Sequence, residues 1–164
     1  MDSHADTCVA GPNFSVIEFT GEYCDVTPYT ADYQPILNVS IVNAATAYTN
    51  ESTGETIILY FNQVLCYGKK MKMSLINPNQ VRHFGVTVSD DPTDTARPFG
   101  IAGQDFFVPF FMDGTTVYFE TRAPTAWELE NCRTVEVTDS TVWNLGHVMI
   151  ANVKKSEETV EAIT

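Results

Sequence analysis

Two runs rich in β-branched and aromatic residues, 39–48 and 56–64, flank the polar stretch Thr49-Asn50-Glu51-Ser52-Thr53-Gly54-Glu55, and no other feature constrains the fold as much. Side chains of this kind fit a pleated, half-buried surface, and polar residues with one glycine between two such runs predict a β-hairpin. The same reasoning gives strands at 14–19, ended by Thr20-Gly21, at 106–112 and 116–119 around the turn signal Asp113-Gly114, and at 134–137. Two short helices have a local signature. Asn77-Pro78-Asn79-Gln80 sets out a capping residue, a proline at the first helical position and a glutamine at the third. Gly85 is placed to end that helix in a left-handed turn, which predicts a helix over about 78–84. Leu75-Ile76 would then end an inner strand leading into it. Thr125-Ala126-Trp127-Glu128 repeats the capping layout.

The chain has 164 residues, 44% of them hydrophobic, which suffices for a core without staples. Acidic residues outnumber basic ones 21 to 9, for a net charge of −12. A protein held by phosphates needs clustered Lys and Arg, so nucleic acid is excluded as the primary partner. The local cluster Lys69, Lys70 and Lys72 reads as a solvated turn. No apolar run approaches the ~18 residues of a membrane span. The four cysteines include no C-x-x-C pair, and the three histidines have no ligand spacing, so neither a metal site nor a cofactor is expected. Without a leader sequence, a cytoplasmic setting with reduced thiols is the expectation. The expected division is 1–90, a linker at 91–98 marked by prolines and aspartates, a smaller β-rich segment at 99–153, and a tail at 154–164.

Asp2-Ser3-His4-Ala5-Asp6-Thr7 resembles the D-[ST]-G-A-[DS]-[ST] active-site loop of retropepsins. Ser74-Leu75-Ile76-Asn77-Pro78-Asn79-Gln80-Val81 is similar to the Asn-Leu-Leu-Ser-x-x-Gln-Leu stretch of copia-type element proteases. A broader likeness to Pol-type proteins of transposable elements runs through Gly54-Glu55-Thr56-Ile57-Ile58-Leu59, Asn62-Gln63, Arg122-Ala123-Pro124-Thr125 and Trp143. The resemblance implies a mainly β fold, a retropepsin-like partial β-barrel with one short helix after Ile76, followed by the smaller β-rich segment. It also implies an aspartic endopeptidase of a retrotransposon polyprotein. Asp2 would be the catalytic aspartate and Ser3 the hydroxyl that knits two catalytic loops together. His4, Ala5, Asp6 and Thr7 would shape the loop, with Ile57-Ile58-Leu59 packed beneath. One such motif per chain implies a homodimer acting on a polypeptide substrate, because two carboxylates must share one proton.

The hairpin tip Asn50, Ser52, Thr53 and Gly54 is the candidate flap over substrate. Two departures from the family pattern bear on activity. His4 stands where the family has glycine, and Met1 immediately precedes Asp2, where the family has an apolar strand. An N-terminally truncated, inactive and monomeric form is therefore expected of residues 1–164 alone. The alternative is a non-catalytic β-rich structural or interaction domain, a decayed element fragment. Asp139-Ser140-Thr141 offers a second Asp-Ser pair but lacks the Gly or Ala that completes the loop.

Overall fold

The computed structural model describes residues 7–26, 36–68, 72–139 and 150–154. The chain is mainly β, and no sheet closes on itself among the described residues. The largest sheet contains β1 (Val9–Ala10), β2 (Ser15–Val26), β3 (Ile36–Thr49), β4 (Thr56–Cys66), β10 (Arg133–Thr138) and β11 (Ile150–Lys154). The path β1-β4-β3-β2-β11 orders five of these strands, and β10 also pairs with β4. A second sheet has the order β5-β6-β7, from Thr87–Ser89, Gly100–Ala102 and Phe107–Pro109. A third is the hairpin of β8 (Phe111–Asp113) and β9 (Thr116–Tyr118). No helix among the described residues is long and apolar enough to cross a membrane.

The predicted hairpin is present: β3 and β4 pair antiparallel from Thr49↔Thr56 to Ile41↔Leu65. Central β4 is buried on both faces at Ile57, Ile58 and Leu59, as its continuous apolar run requires. At the other end of the first predicted strand, Thr20-Gly21 does not stop it. β2 runs on to Val26, and the pairing shifts between Phe19 and Glu22, so these two residues form a bulge. Gly21 takes φ +87° there, and the Thr20 hydroxyl donates to the Ile41 carbonyl at 2.7 Å, which holds the bulge against β3. The predicted 106–112 strand is broken at Phe110 into β7 and β8.

Helix α1 (Pro78–His83) starts where the capping layout places it. The Asn77 side chain accepts from the backbone N–H of Asn79 and Gln80, and Gly85 follows the end at φ +84°. Leu75 belongs to no extended strand but makes an isolated antiparallel bridge with Val9. Helix α2 (Ala126–Asn131) carries a complete capping box between Thr125 and Glu128.

The stretch 91–98, expected as a linker, joins β5 to β6, which pair with each other. One hydrophobic cluster runs through Cys8, Phe61, Val88, Ile101, Val108 and Val137. Of the expected tail, Lys154 ends β11 and residues 155–164 lie outside the described residues.

Candidate functional site

Residues Asp2, Ser3, His4, Ala5 and Asp6 lie outside the described residues. Thr7 is the first described residue, and it is buried at 2% exposure. What the structure supplies is the seat into which the motif leads.

The backbone of residues 8–11 bonds alternately to two sides. The Cys8 carbonyl accepts from Leu65 N–H (2.9 Å) and the Ala10 carbonyl from Tyr67 N–H (3.0 Å), both on the β4 side. Val9 exchanges both its backbone bonds with Leu75, at 2.7 and 2.9 Å. β1 is therefore threaded between β4, which it parallels, and the segment that enters α1. Gly11 N–H donates to the Ser74 hydroxyl at 2.7 Å. A Cβ on Gly11 would lie 2.9 Å from the Met73 carbonyl oxygen, so only glycine permits this approach.

Beneath β1 sits Gln80, with 0% exposure. Its Oε1 accepts from Cys8 N–H (2.8 Å), while Nε2 donates to the carbonyls of Gln63 (2.9 Å) and Asn62 (3.4 Å). Those carbonyls turn toward Gln80 because β4 bulges there: the β3–β4 register shifts between Val42 and Ala44, and Gln63 takes φ +59°. Asn43 Oδ1 accepts from Gln63 N–H at 3.1 Å and holds the bulge from β3. On the edge of β4 away from β3, Asn62 and Thr138 bond reciprocally. Asn62 N–H donates to the Thr138 hydroxyl (2.6 Å), that hydroxyl donates to the Asn62 carbonyl (2.8 Å), and Asn62 Nδ2 donates to the Thr138 carbonyl. β10 and β1 thus follow one another along a single edge of β4, both parallel to it. The end of β10, with Asp139 next in sequence, and the start of β1 converge on the Asn62-Gln63 bulge.

Cys8 offers no nucleophile here. Its sulfur accepts from Asn77 N–H at 3.2 Å, and burial pushes the thiol up to about 12. Burial, with help from Asp25, likewise holds the Cys24 thiol at about 12. All four cysteines are free. No cluster of three or more His, Cys, Asp or Glu side chains gathers among the described residues in a way that would hold a metal.

The candidate flap is the turn between β3 and β4. Asn50 Oδ1 accepts from Ser52 N–H (2.9 Å) and Thr53 N–H (3.2 Å), and Gly54 N–H donates to the Asn50 carbonyl at 2.7 Å with φ +75°. This tip leads into Thr56 at the start of β4, whereas Cys8 binds Leu65 near its end. Nine residues of extended strand separate the two, about 30 Å. The hairpin that extends past the Cys8 end of β4 is β2–β3, whose pairing continues to Val26↔Ile36; residues 27–35 between them lie outside the described residues.

Sequence reading finds Asn77 from local spacing but gives Asn62 and Gln63 no role. It misses the role of Gln80, whose partners lie 17 to 72 positions away. It also misses Thr138, which only the parallel pairing of β10 brings to Asn62.

The fold and its seat define a mainly β domain whose N-terminal strand is clamped between a central strand and a helix entrance. Set beside protein-family models, curated proteins and solved structures, the chain matches none.

Proposed function

We propose that this chain is the aspartic endopeptidase region of a retrotransposon polyprotein. In this reading it is a retropepsin-like partial barrel acting as a homodimer on a polypeptide substrate, with Asp2 contributed by each copy. Two carboxylates a few ångströms apart cannot both ionise, so they share one proton. One activates water as a base while the other donates to the scissile carbonyl. Besides the sequence resemblance, the observation that carries the reading is the clamped β1. A dyad needs its carboxylates held within about 0.5 Å, and side chains set on rigid elements meet that demand better than loops. Here the motif runs directly into a strand bonded on both sides, with the buried Gln80 beneath it.

The test is peptide hydrolysis by the protein. Activity should peak at mildly acid pH in a bell-shaped profile belonging to the pair, and Asp2→Asn should abolish it. Undiminished hydrolysis by Asp2→Asn would assign the chemistry to another group. A non-catalytic interaction domain is the second reading, and the groove described next is the observation that favours it.

A further inference from the structure

At the end of β4 remote from β1, the β3–β4 hairpin faces the 105–111 segment across an open groove of about 810 Å³. That volume falls in the ~300–1,000 Å³ range of sites that bury most of a ligand. One wall is aromatic: Phe106, Phe107 and Phe111 line it, with Phe111 51% exposed and Phe107 39%. Tyr48 lines the groove from β3, its phenol pushed above the ordinary value by partial burial and by the charge of Glu51.

The charges in the groove are unevenly paired. Arg133 bridges Asp105 at 3.0 Å and Glu55 at 3.5 Å, which occupies both those carboxylates. Arg122 lies against Glu128 in a two-pronged pair. Both cations of the groove are thereby neutralised within the fold. Glu51 and Glu120, which also line it, have no ion-pair partner among the described residues. Exposed aromatic faces beside two unpaired carboxylates match a cation carried on an apolar frame. A strand edge is also present: β7 is the outermost strand of its sheet, and Phe107 and Pro109 on it line the groove. Pro109 has no N–H and limits strand addition there, so the side chains of the groove, more than the β7 backbone, hold the ligand.

From these features we infer that the groove between the Asn50–Glu55 tip and β7 binds an extended peptide segment carrying Lys or Arg flanked by apolar residues. Glu51 and Glu120 receive the cation, and Phe107 and Phe111 receive its apolar neighbours. The inference does not rest on the protease reading, because no residue of the Asp2 motif takes part.

The experiment titrates the full chain, as its Asp2→Asn variant so that no peptide is consumed, with a fluorescent Leu-Lys-Val-Arg-Leu peptide. Saturable binding that weakens as salt rises is expected. Glu51→Gln and Glu120→Gln should each weaken it several-fold, and Phe111→Ser at least as much. Glu130→Gln, a carboxylate outside the groove, should leave it unchanged. Because these side chains are exposed, unaltered circular dichroism of each variant will show that the fold is retained. No binding, or an equal loss from Glu130→Gln, would overturn the inference by reducing the effect to general attraction toward an acidic protein. Equal binding of a Leu-Glu-Val-Glu-Leu peptide would overturn the role of charge. An alkylammonium ion binding as tightly as the peptide would replace the polypeptide with a small cation and overturn it too.

Discussion

The two ends of β4 are built in opposite ways. At the Leu65 end, polar groups are buried and bonded to one another: Gln80, Asn77, Asn62 and Thr138 are each under 9% exposed, and all bond to backbone. At the Thr56 end, charges and aromatic rings stand in solvent, with ion pairs such as Arg133–Glu55 between half-exposed side chains. A buried polar group left without a partner costs its full desolvation, whereas an exposed ion pair contributes ~0–1 kcal/mol. One end is therefore intolerant of change, and the other is free to vary with a ligand.

Substitutions at the two ends should break or sharpen this contrast. The largest effect is expected for Gln80→Leu, which orphans the Cys8 N–H and takes a donor from the Gln63 carbonyl in one step, while the Asn62 carbonyl keeps the Thr138 hydroxyl. A loss of about 2–3 kcal/mol in urea unfolding is expected, since an orphaned buried group costs ~1–3 kcal/mol and the lost donor to Gln63 adds to it. A loss below about 1 kcal/mol would mean that water reaches the seat and the contrast is false. Asn77→Ala should cost about 1–2 kcal/mol, because it unseats two N–H groups of α1 at a buried cap.

Thr125→Ala, in the more exposed capping box of α2, should cost about 1 kcal/mol. The Arg122 hydrogen bond, then Thr125 N–H, holds the Glu128 carboxyl at about 2, below its ordinary 4.5. A depressed folded-state value stabilises above the unfolded one and is lost as pH falls through the folded one. Glu128→Gln should therefore be less stable than wild type at neutral pH, with the difference closing between about pH 4.5 and about pH 2. An unchanging difference would mean that packing, and not charge, holds α2. The smallest effect belongs to Glu51→Gln, within about 0.5 kcal/mol of wild type; a larger loss would show that the groove end also supports the fold.

How much of this was legible in the sequence follows from the range of each interaction. The caps at Asn77 and Thr125 depend on residues two and three positions away, and both form where the spacing places them. The layouts look alike, yet their third residues act differently. Glu128 reaches back to Thr125 N–H, while Gln80 turns into the core and bonds Cys8 instead. Local spacing does not distinguish these outcomes, because the difference lies in which tertiary neighbour is close. The hairpin 49–56 was legible for the same local reason. Thr20-Gly21 was not, because the Ile41 carbonyl that steadies the bulge comes from another strand. The parallel pairings Val9↔Leu65 and Arg133↔Ile57 join positions more than fifty apart and leave no local trace. Of the proposed site, the resemblance at residues 2–7 rests on the sequence alone, while the clamp on β1 is visible only once β1 is seen between β4 and Leu75.

The placement of β10 and β1 along one edge of β4 also sets a timetable for synthesis. The ribosome delivers β1 early, but the half of that edge from Ile57 to Phe61 waits for residues 133–138. During the interval, an apolar strand shows a row of unpaired amides and carbonyls, a template for pairing with another nascent chain. On that edge the hazard ends when Thr138 closes on Asn62, while the edge of β2 waits for β11. Chains released before that point should aggregate more than those released after it.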